Sequence, residues 1–299
     1  MTFLLTFDIE DWFQVENLRP LFPPKCWNLQ CWRVEKSTHT LLHVLDEAER
    51  VLKRPVKATF FVLGSVAEKF PQLVREIHRR GHEAASHGYW HRLCGQERPG
   101  DLLEDLRRSK ALLEDILGAA VLGYRAPGFS ISHATLELVR QAGYRYDSSY
   151  NSFALNPRYG VLTLNGNRRG IAYELDSNFF EIPVSNLRLL GRTLPWSGGG
   201  YFRLMPRRLF ALGVSKILRS QGSYVFYLHP WECDAQQPRV HAIGPLARFR
   251  HYVNLSRTRD KLLWLIRSFP QCRWTTCTQY LRSLSDEIHR SLGEDPVQG

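Results

Sequence analysis

Five short stretches of the chain carry side chains that can do chemistry together: "TFDIED" with Asp8, Glu10 and Asp11, "SHGYWH" with His87 and His91, "YRAPGF" with Arg125, "YDSS" with Asp147, and "YLHPWE" with His229. Two imidazoles and one carboxylate can bind a single divalent cation while leaving positions open for water and substrate, which marks a catalytic centre rather than a closed structural one. Zn²⁺ fits such a set, as do iron and cobalt. A spacing of four places His87 and His91 on one face if the chain there forms a helical turn. On a strand, residues two apart share a side, so Asp8 and Glu10 face the same way and Asp11 is turned away. One of those two acids can ligate the metal while the other takes a proton from water, whose pKa a metal lowers towards about 7. Glu10 is the expected ligand. Asp11 is the alternative if the chain leaves the strand at Ile9. This is the chemistry of amide or ester hydrolysis.

The other residues fit around that centre. Arg125 is a permanent cation that can orient a carboxylate base and hold it ionised. Pro127-Gly128 allows a sharp turn that could aim an N–H at an oxyanion, or is simply a Pro-Gly turn. His229 suits the general acid, because a departing amine must be protonated near neutral pH. Asp147 can hydrogen-bond His229 and fix its tautomer, or serve as a turn or helix-capping residue. "SGGGYFRLMP" (197–206) reads as a flexible loop, or as a lid or floor with Tyr201 or Phe202 stacking on substrate. Trp231, like the other tryptophans beside these motifs, can stack on a ring or pack in the core.

The elements that must position these residues alternate. Short β-rich runs lie at 3–7, 57–63, 82–86, 122–125, 144–147, 180–184, 223–228 and 272–275. Helical patterns lie between them at 37–53, 66–80, 101–117, 132–142, 206–220 and 256–268. Such alternation implies parallel strands with helices outside, and seven or eight units suggest a closed or nearly closed α/β barrel. In that architecture active sites sit at the carboxyl ends of the strands. The reactive residues fall where the apolar runs stop. Two insertions interrupt the pattern, an aromatic-rich one at 12–36 and one without periodicity at 148–179.

Composition narrows the function classes. At 299 residues and 43% hydrophobic content the chain can build a sizeable core. No apolar run is long enough to span a membrane. The first residues lack a basic region, an apolar segment and a small-residue cleavage site, so a soluble cytoplasmic protein is expected. The net charge is +11, from 40 basic and 29 acidic residues. Without any nucleic-acid module, that excess reads as a basic surface, useful at the inner membrane face. The Cys26/Cys31 and Cys272/Cys277 pairs share a C-x4-C spacing. Free thiols are the expected state, because four-cysteine zinc sites more often use C-x2-C.

"TFDIED", "HGYWH", "RAP", "YDSS" and "YLHP", in this order, resemble the NodB-homology polysaccharide deacetylases of carbohydrate esterase family 4, over roughly residues 2–232. "FDIEDWFQV", "RAPGFS", "GGGYFRLMP" and "HPWE" resemble the exosortase-associated exopolysaccharide subgroup, which has a C-terminal extension. The resemblance implies a distorted (β/α) barrel of about seven strands over residues 1–235, with an extension at 236–299 packed on it. It implies a divalent metal, usually Zn²⁺, and removal of N-acetyl groups from an amino-sugar polysaccharide or a lipid-linked glycan. By position, Asp8 corresponds to the base, His87 and His91 to metal ligands, Arg125 to the residue holding the base, His229 to the acid and Asp147 to its partner. Pro127, Gly128, Phe129, Tyr201 and Trp231 are expected to line the substrate site. The sequence departs from the family where a second Asp usually follows the base, since Ile9 stands there. A small-molecule amidohydrolase on the same fold is the alternative function.

Overall fold

The computed structural model describes residues 1–153 and 158–292. Residues 154–157, inside the second expected insertion, and 293–299, at the end of the expected extension, lie outside the described residues. β1 (Thr2–Ile9), β2 (Ala58–Val62), β3 (Glu83–Ser86), β4 (Gly123–Tyr124) and β5 (Tyr146–Asp147) are laid side by side in chain order. An antiparallel ribbon follows, β6 (Asn167–Arg169), β7 (Ala172–Asp176) and β8 (Phe179–Glu181), of which β8 pairs in parallel with β5. After a separate hairpin of β9 (Leu187–Leu189) and β10 (Arg192–Leu194), β11 (Ser223–Leu228) joins the far side of β1. The short β12 (Arg273–Trp274) also pairs with β1. Seven parallel strands thus curl in the order β11-β1-β2-β3-β4-β5-β8. The seam is bridged where Ser185 N–H donates to Val225 O (3.3 Å) and Val225 N–H donates to Ser185 Oγ (2.9 Å).

β1 shows how the sequence writes this fold. Its residues are buried on both faces, as expected of a strand with helices on one side and the barrel interior on the other. Phe3, Leu5, Phe7 and Ile9 pack outward into the main core beneath the helices, whereas Leu4 joins Phe61, Tyr146 and Val225 in the interior cluster. Thr6, Asp8 and Glu10 follow Leu4 on the inward side. Fully burying a side chain such as Phe3 is worth about 1.5–3 kcal/mol. Its stack on Trp274, 4.2 Å between centroids, ties β12 to the same strand.

The helices form the outer layer: α1 (Val34–Leu52), α2 (Gly64–Lys69), α3 (Pro71–Arg79), α4 (Pro99–Leu117), α5 (His133–Gln141), α6 (Gly199–Leu204), α7 (Arg207–Gln221), α8 (Pro245–Tyr252), α9 (Leu255–Arg267) and α10 (Cys277–Leu292). The single helix expected over 66–80 is two. Pro71 has no N–H to donate and forces Phe70 out of the helical region, so one helix ends and the next begins there. The aperiodic 148–179 insertion holds β6 and β7, and β8 falls on the strand expected at 180–184. The expected glycine-rich loop contains α6, and α8 and α10 were not anticipated. α10 starts inside the barrel: Cys277 and Tyr280 belong to the interior cluster, and Cys277 N–H donates to Thr59 Oγ1 (2.9 Å). All six cysteines are free thiols. No helix among the described residues is long and apolar enough to cross a membrane.

Candidate active site

The carboxyl ends of the strands converge on one pocket. Asp8, Glu10, His87, His91, Gly128, Phe129, Trp231 and His229 all line it. Glu10, His87 and His91 are the only such set among the described residues that could hold a metal ion, with ligand atoms all within 4.8 Å of one another. Glu10 Oε2 is buried without a hydrogen-bond donor and lies 2.7 Å from His91 Nε2. An orphaned carboxylate oxygen facing two imidazoles fits a divalent cation, which would relieve the cost of leaving it unpaired. His87 Nδ1 donates to Arg125 O (2.8 Å), which leaves Nε2 as the free lone pair. Burial lowers the His87 pKa to about 4, so the ring is neutral, as a ligand must be. Burial alone would raise the Glu10 carboxyl, but His91 and His229 outweigh it and hold it at about 2.

The two histidines do not reach each other through a helical turn. Residues 87–91 form a bend in which Gly88 and His91 both adopt positive φ (72° and 52°). Only glycine takes that conformation without cost, and a Cβ at Gly88 would meet Asp105 Oδ2 at 3.1 Å. The bend is pinned by Tyr89 N–H to Asp105 Oδ2 (2.7 Å) and by Arg19 Nη1 to His91 O (3.2 Å). The rings end 5.3 Å apart.

The three acids of "TFDIED" hold three positions. Asp8 Oδ1 accepts from Arg125 Nη1 at 2.8 Å. Arg125 is fully buried, and its remaining donors go to Thr6 Oγ1, Ser148 O and Ser148 Oγ, so the clamp cannot swing. Glu10 faces the same side, and its Oε1 accepts from Trp231 Nε1 (3.1 Å). Asp11, the alternative ligand, is turned away. Its Oδ2 accepts from the N–H groups of Arg33 (2.6 Å) and Val34 (2.8 Å), which anchors the start of α1. Burial raises its pKa to about 6 despite those bonds. Ile9 points into the helix-side core, so an acid at that position could not reach the pocket.

His229 faces Asp8 and Glu10 from β11. Its Nε2 lies 3.8 Å from Asp8 Oδ2 and 3.5 Å from Glu10 Oε1. The expected hydrogen bond to Asp147 is replaced by one to another acid: His229 Nδ1 donates to Glu232 Oε1 at 2.6 Å. Asp147 instead accepts from Ser149 N (2.9 Å) and Oγ (2.7 Å) in the barrel wall, beside Glu181 in the register. Burial opposes the His229 imidazolium, but Glu10, Glu232 and Asp8 outweigh it and raise the pKa to about 9. Glu232 is held in turn by Arg203 of α6 (Nε to Oε2, 2.8 Å). Burial would raise Glu232, yet Arg203 and His229 keep it below the usual carboxylate range.

Residues 26–146 match the family model described as polysaccharide deacetylase, and residues 148–282 match a domain of unknown function, DUF3473. Over residues 26–146 the chain is thus similar to the polysaccharide deacetylase family. A peptidoglycan deacetylase of Helicobacter pylori is 33% identical over 107 residues, covering 36% of each chain. A peptidoglycan deacetylase-like protein of Gibberella zeae is 37% identical over 93 residues, 31% of this chain and 28% of its own. The matches thus span about a third of those relatives' lengths. A candidate polysaccharide deacetylase from Mycobacterium smegmatis has the same fold, with TM-score 0.61 and 19% identity over 100% of this chain and 93% of its own. A peptidoglycan deacetylase from Bacillus subtilis superposes with TM-score 0.51 and 14% identity, over 97% of this chain and 95% of its own. These structures share the NodB-like barrel of the deacetylase family.

Against this deacetylase frame the remaining pocket residues sort themselves. Gly128 and Phe129 line the pocket, while Pro127 is buried behind them and Tyr201 packs against Phe153 (6.1 Å) instead of facing it. Trp231 lines the pocket, but its ring is already stacked on His229 (5.3 Å) and on His251 (4.5 Å, 3° between planes). Phe202 is core, packed on Phe210 and Phe226. The glycine run serves a close approach: Gly198 bridges to Tyr227 of β11, where a Cβ would meet Tyr227 O at 1.9 Å. Glu232 and Arg203 were missed as site residues. The only local signal was the i, i+3 spacing of His229 and Glu232 in "HPWE".

Proposed function

We propose that this protein is a metal-dependent hydrolase that removes N-acetyl groups from amino sugars of an exopolysaccharide or its lipid-linked precursor. One observation carries the reading. Asp8 and His229 face the Glu10–His87–His91 set from two sides of one pocket, each held by its own buried arginine system. Glu10, His87 and His91 would hold the cation, Zn²⁺ being a good fit. When bound, such an ion supplies Lewis acidity, polarising the acetamide carbonyl and acidifying water.

The chain's own residues do the rest. Arg125 holds Asp8 aimed into the pocket, so Asp8 takes the proton from the attacking water. His229 enters protonated and gives its Nε2 proton to the amine nitrogen as the C–N bond breaks. Glu232 accepts from Nδ1 and so keeps the acidic proton on the pocket side. Each proton transfer is worth about 10²–10⁴-fold in rate. Relatives named as peptidoglycan deacetylases support an N-acetylated amino-sugar glycan as the substrate class.

The test is acetate release from N-acetylated glucosamine oligomers by protein supplied with Zn²⁺, beside simple linear and cyclic amides. Asp8→Asn and His229→Ala should each lose at least about 10²-fold in kcat with unchanged circular dichroism. Full activity in both variants overturns the mechanism. Turnover of the amides alone points to the small-molecule amidohydrolase.

A further inference from the structure

Between Glu181 and Glu232 the chain has no acid, yet seven of those fifty residues are Arg or Lys. Arg203 is buried on Glu232, and the other six are exposed. They are not scattered. Arg188, at the foot of the β9–β10 hairpin, and Lys216 of α7 line one cavity of about 420 Å³, together with Arg168 from β6. Among the described residues no carboxylate lines it, and its polar wall includes Tyr150, Ser152 and Asn186. Arg168 donates to Gly170 O (2.9 Å), which holds its guanidinium near the cavity.

The same face is unusually apolar at its outermost points. The hairpin turn presents Leu189 (41% exposed) and Leu190 (93% exposed) between Arg188 and Arg192. α7, which packs beside β9, exposes Leu212 (66%) one turn before Lys216, with Leu209 (49%) preceding it. Bare leucines at a hairpin tip gain nothing in water, and no acid of the same stretch of sequence offsets the cations around them. A protruding apolar tip ringed by basic side chains matches the interface of an anionic bilayer, where leucines enter the acyl boundary and cations meet phosphate headgroups. Nucleic acid would satisfy the charges but not the leucines.

We propose that the β9–β10 hairpin and the exposed face of α7 form a docking surface for an anionic phospholipid bilayer. Leu189 and Leu190 enter the interface, and Arg168, Arg188 and Lys216 receive headgroup phosphate at the cavity. The surface shares no residue with the candidate active site, so it stands or falls independently of the deacetylase reading.

The experiment is sedimentation of the full chain with vesicles of phosphatidylcholine alone and of phosphatidylcholine mixed with phosphatidylglycerol, at physiological ionic strength. The protein should partition onto the mixed vesicles and not onto the neutral ones. Each basic side chain near such a surface contributes roughly a fivefold gain in partition. Arg188→Glu with Lys216→Glu should therefore lower binding by more than about tenfold. Leu190→Glu should lower it comparably, and Arg98→Glu on the remote α4 should bind as the unaltered protein does. Equal binding to neutral vesicles, no binding to mixed ones, or unchanged binding by the hairpin and α7 variants overturns the proposal. So does a dimer in vesicle-free solution that Leu190→Glu converts to monomer, because a second copy would then own this face.

Discussion

The two sides of the pocket solve one problem in different ways. On the β1 side, Asp8 faces the reaction directly and Arg125 clamps it. On the β11 side, the carboxylate that meets a buried arginine is Glu232, which acts only through His229. Arg125 and Arg203 are both almost fully buried, and each spends its other donors on the fold. Arg125 binds Thr6 and Ser148, whereas Arg203 binds the carbonyls of Arg250, His251 and Val253 at the end of α8. The first side comes from the opening strand and the segment matching the deacetylase model. The second comes wholly from residues 148–282, matched only to a domain of unknown function. That segment completes the barrel and brings the proposed acid with its supports. A base can be clamped across the barrel, from β1 to the end of β4, but an acid that must keep one nitrogen towards the pocket needs a carboxylate behind it.

The arginines give the sharpest way to break this comparison. Arg125→Met and Arg203→Met should each destabilise the fold by about 3–5 kcal/mol, since each strands a buried carboxylate. Chemical denaturation measures this. Pairing each with Asp8→Asn or Glu232→Gln should recover part of the loss. Independent, additive effects would mean that neither arginine is there for its carboxylate. Next in size, Glu232→Gln keeps the shape but no longer stabilises the His229 imidazolium. The expected result is a fall in kcat on the order of 10²-fold with little change in KM, read by acetate release.

A smaller effect probes the contact between the two sides, Trp231 Nε1 to Glu10 Oε1. Trp231→Phe keeps an aromatic ring between His229 and His251 but deletes the donor. Metal affinity should fall about tenfold, the lower end for lost outer-sphere partners, as measured by competition with a chelating dye. The smallest effect concerns Asp147 and Glu181, which share the barrel wall and not the reaction. Burial, followed by the Asp147 charge, raises the Glu181 pKa well above its ordinary 4.5. The folded state therefore holds a proton that the unfolded state releases, and stability from this group declines as pH rises above about 4.5. Glu181→Gln removes that decline. Its melting temperature relative to the unaltered protein should rise between pH 5 and pH 9, and a parallel pair of curves would refute a raised Glu181 pKa in the folded state.

Much of this was legible along the chain because it depends on local periodicity. Strand alternation placed Asp8 and Glu10 together and Ile9 apart, since residues two apart on a strand share a face in any environment. The eight β-rich runs and most helices stood out for the same reason. The His87–His91 pairing was anticipated, but through a helical turn that a bend with positive φ replaces. β6, β7 and the helix inside "GGGYFRLMP" carry no clear period, so their form came from packing against β8 and β11.

What the sequence determined by itself is the inventory: which side chains end which strands, and which of them share a side. What only the tertiary structure decided is partnership. Asp147 and Glu232 were both acids near a strand end, and only the i, i+3 spacing of His229 and Glu232 hinted locally at which one would meet His229. The choice follows from how β11 runs into the turn at residues 230–233, with Arg203 and the end of α8 closing behind it. Trp231 likewise had a ring to offer, and whether its faces were open depended on His251, twenty residues further along the chain. Hydrogen bonds and ring stacks act over a few ångströms, so they are settled where distant segments meet.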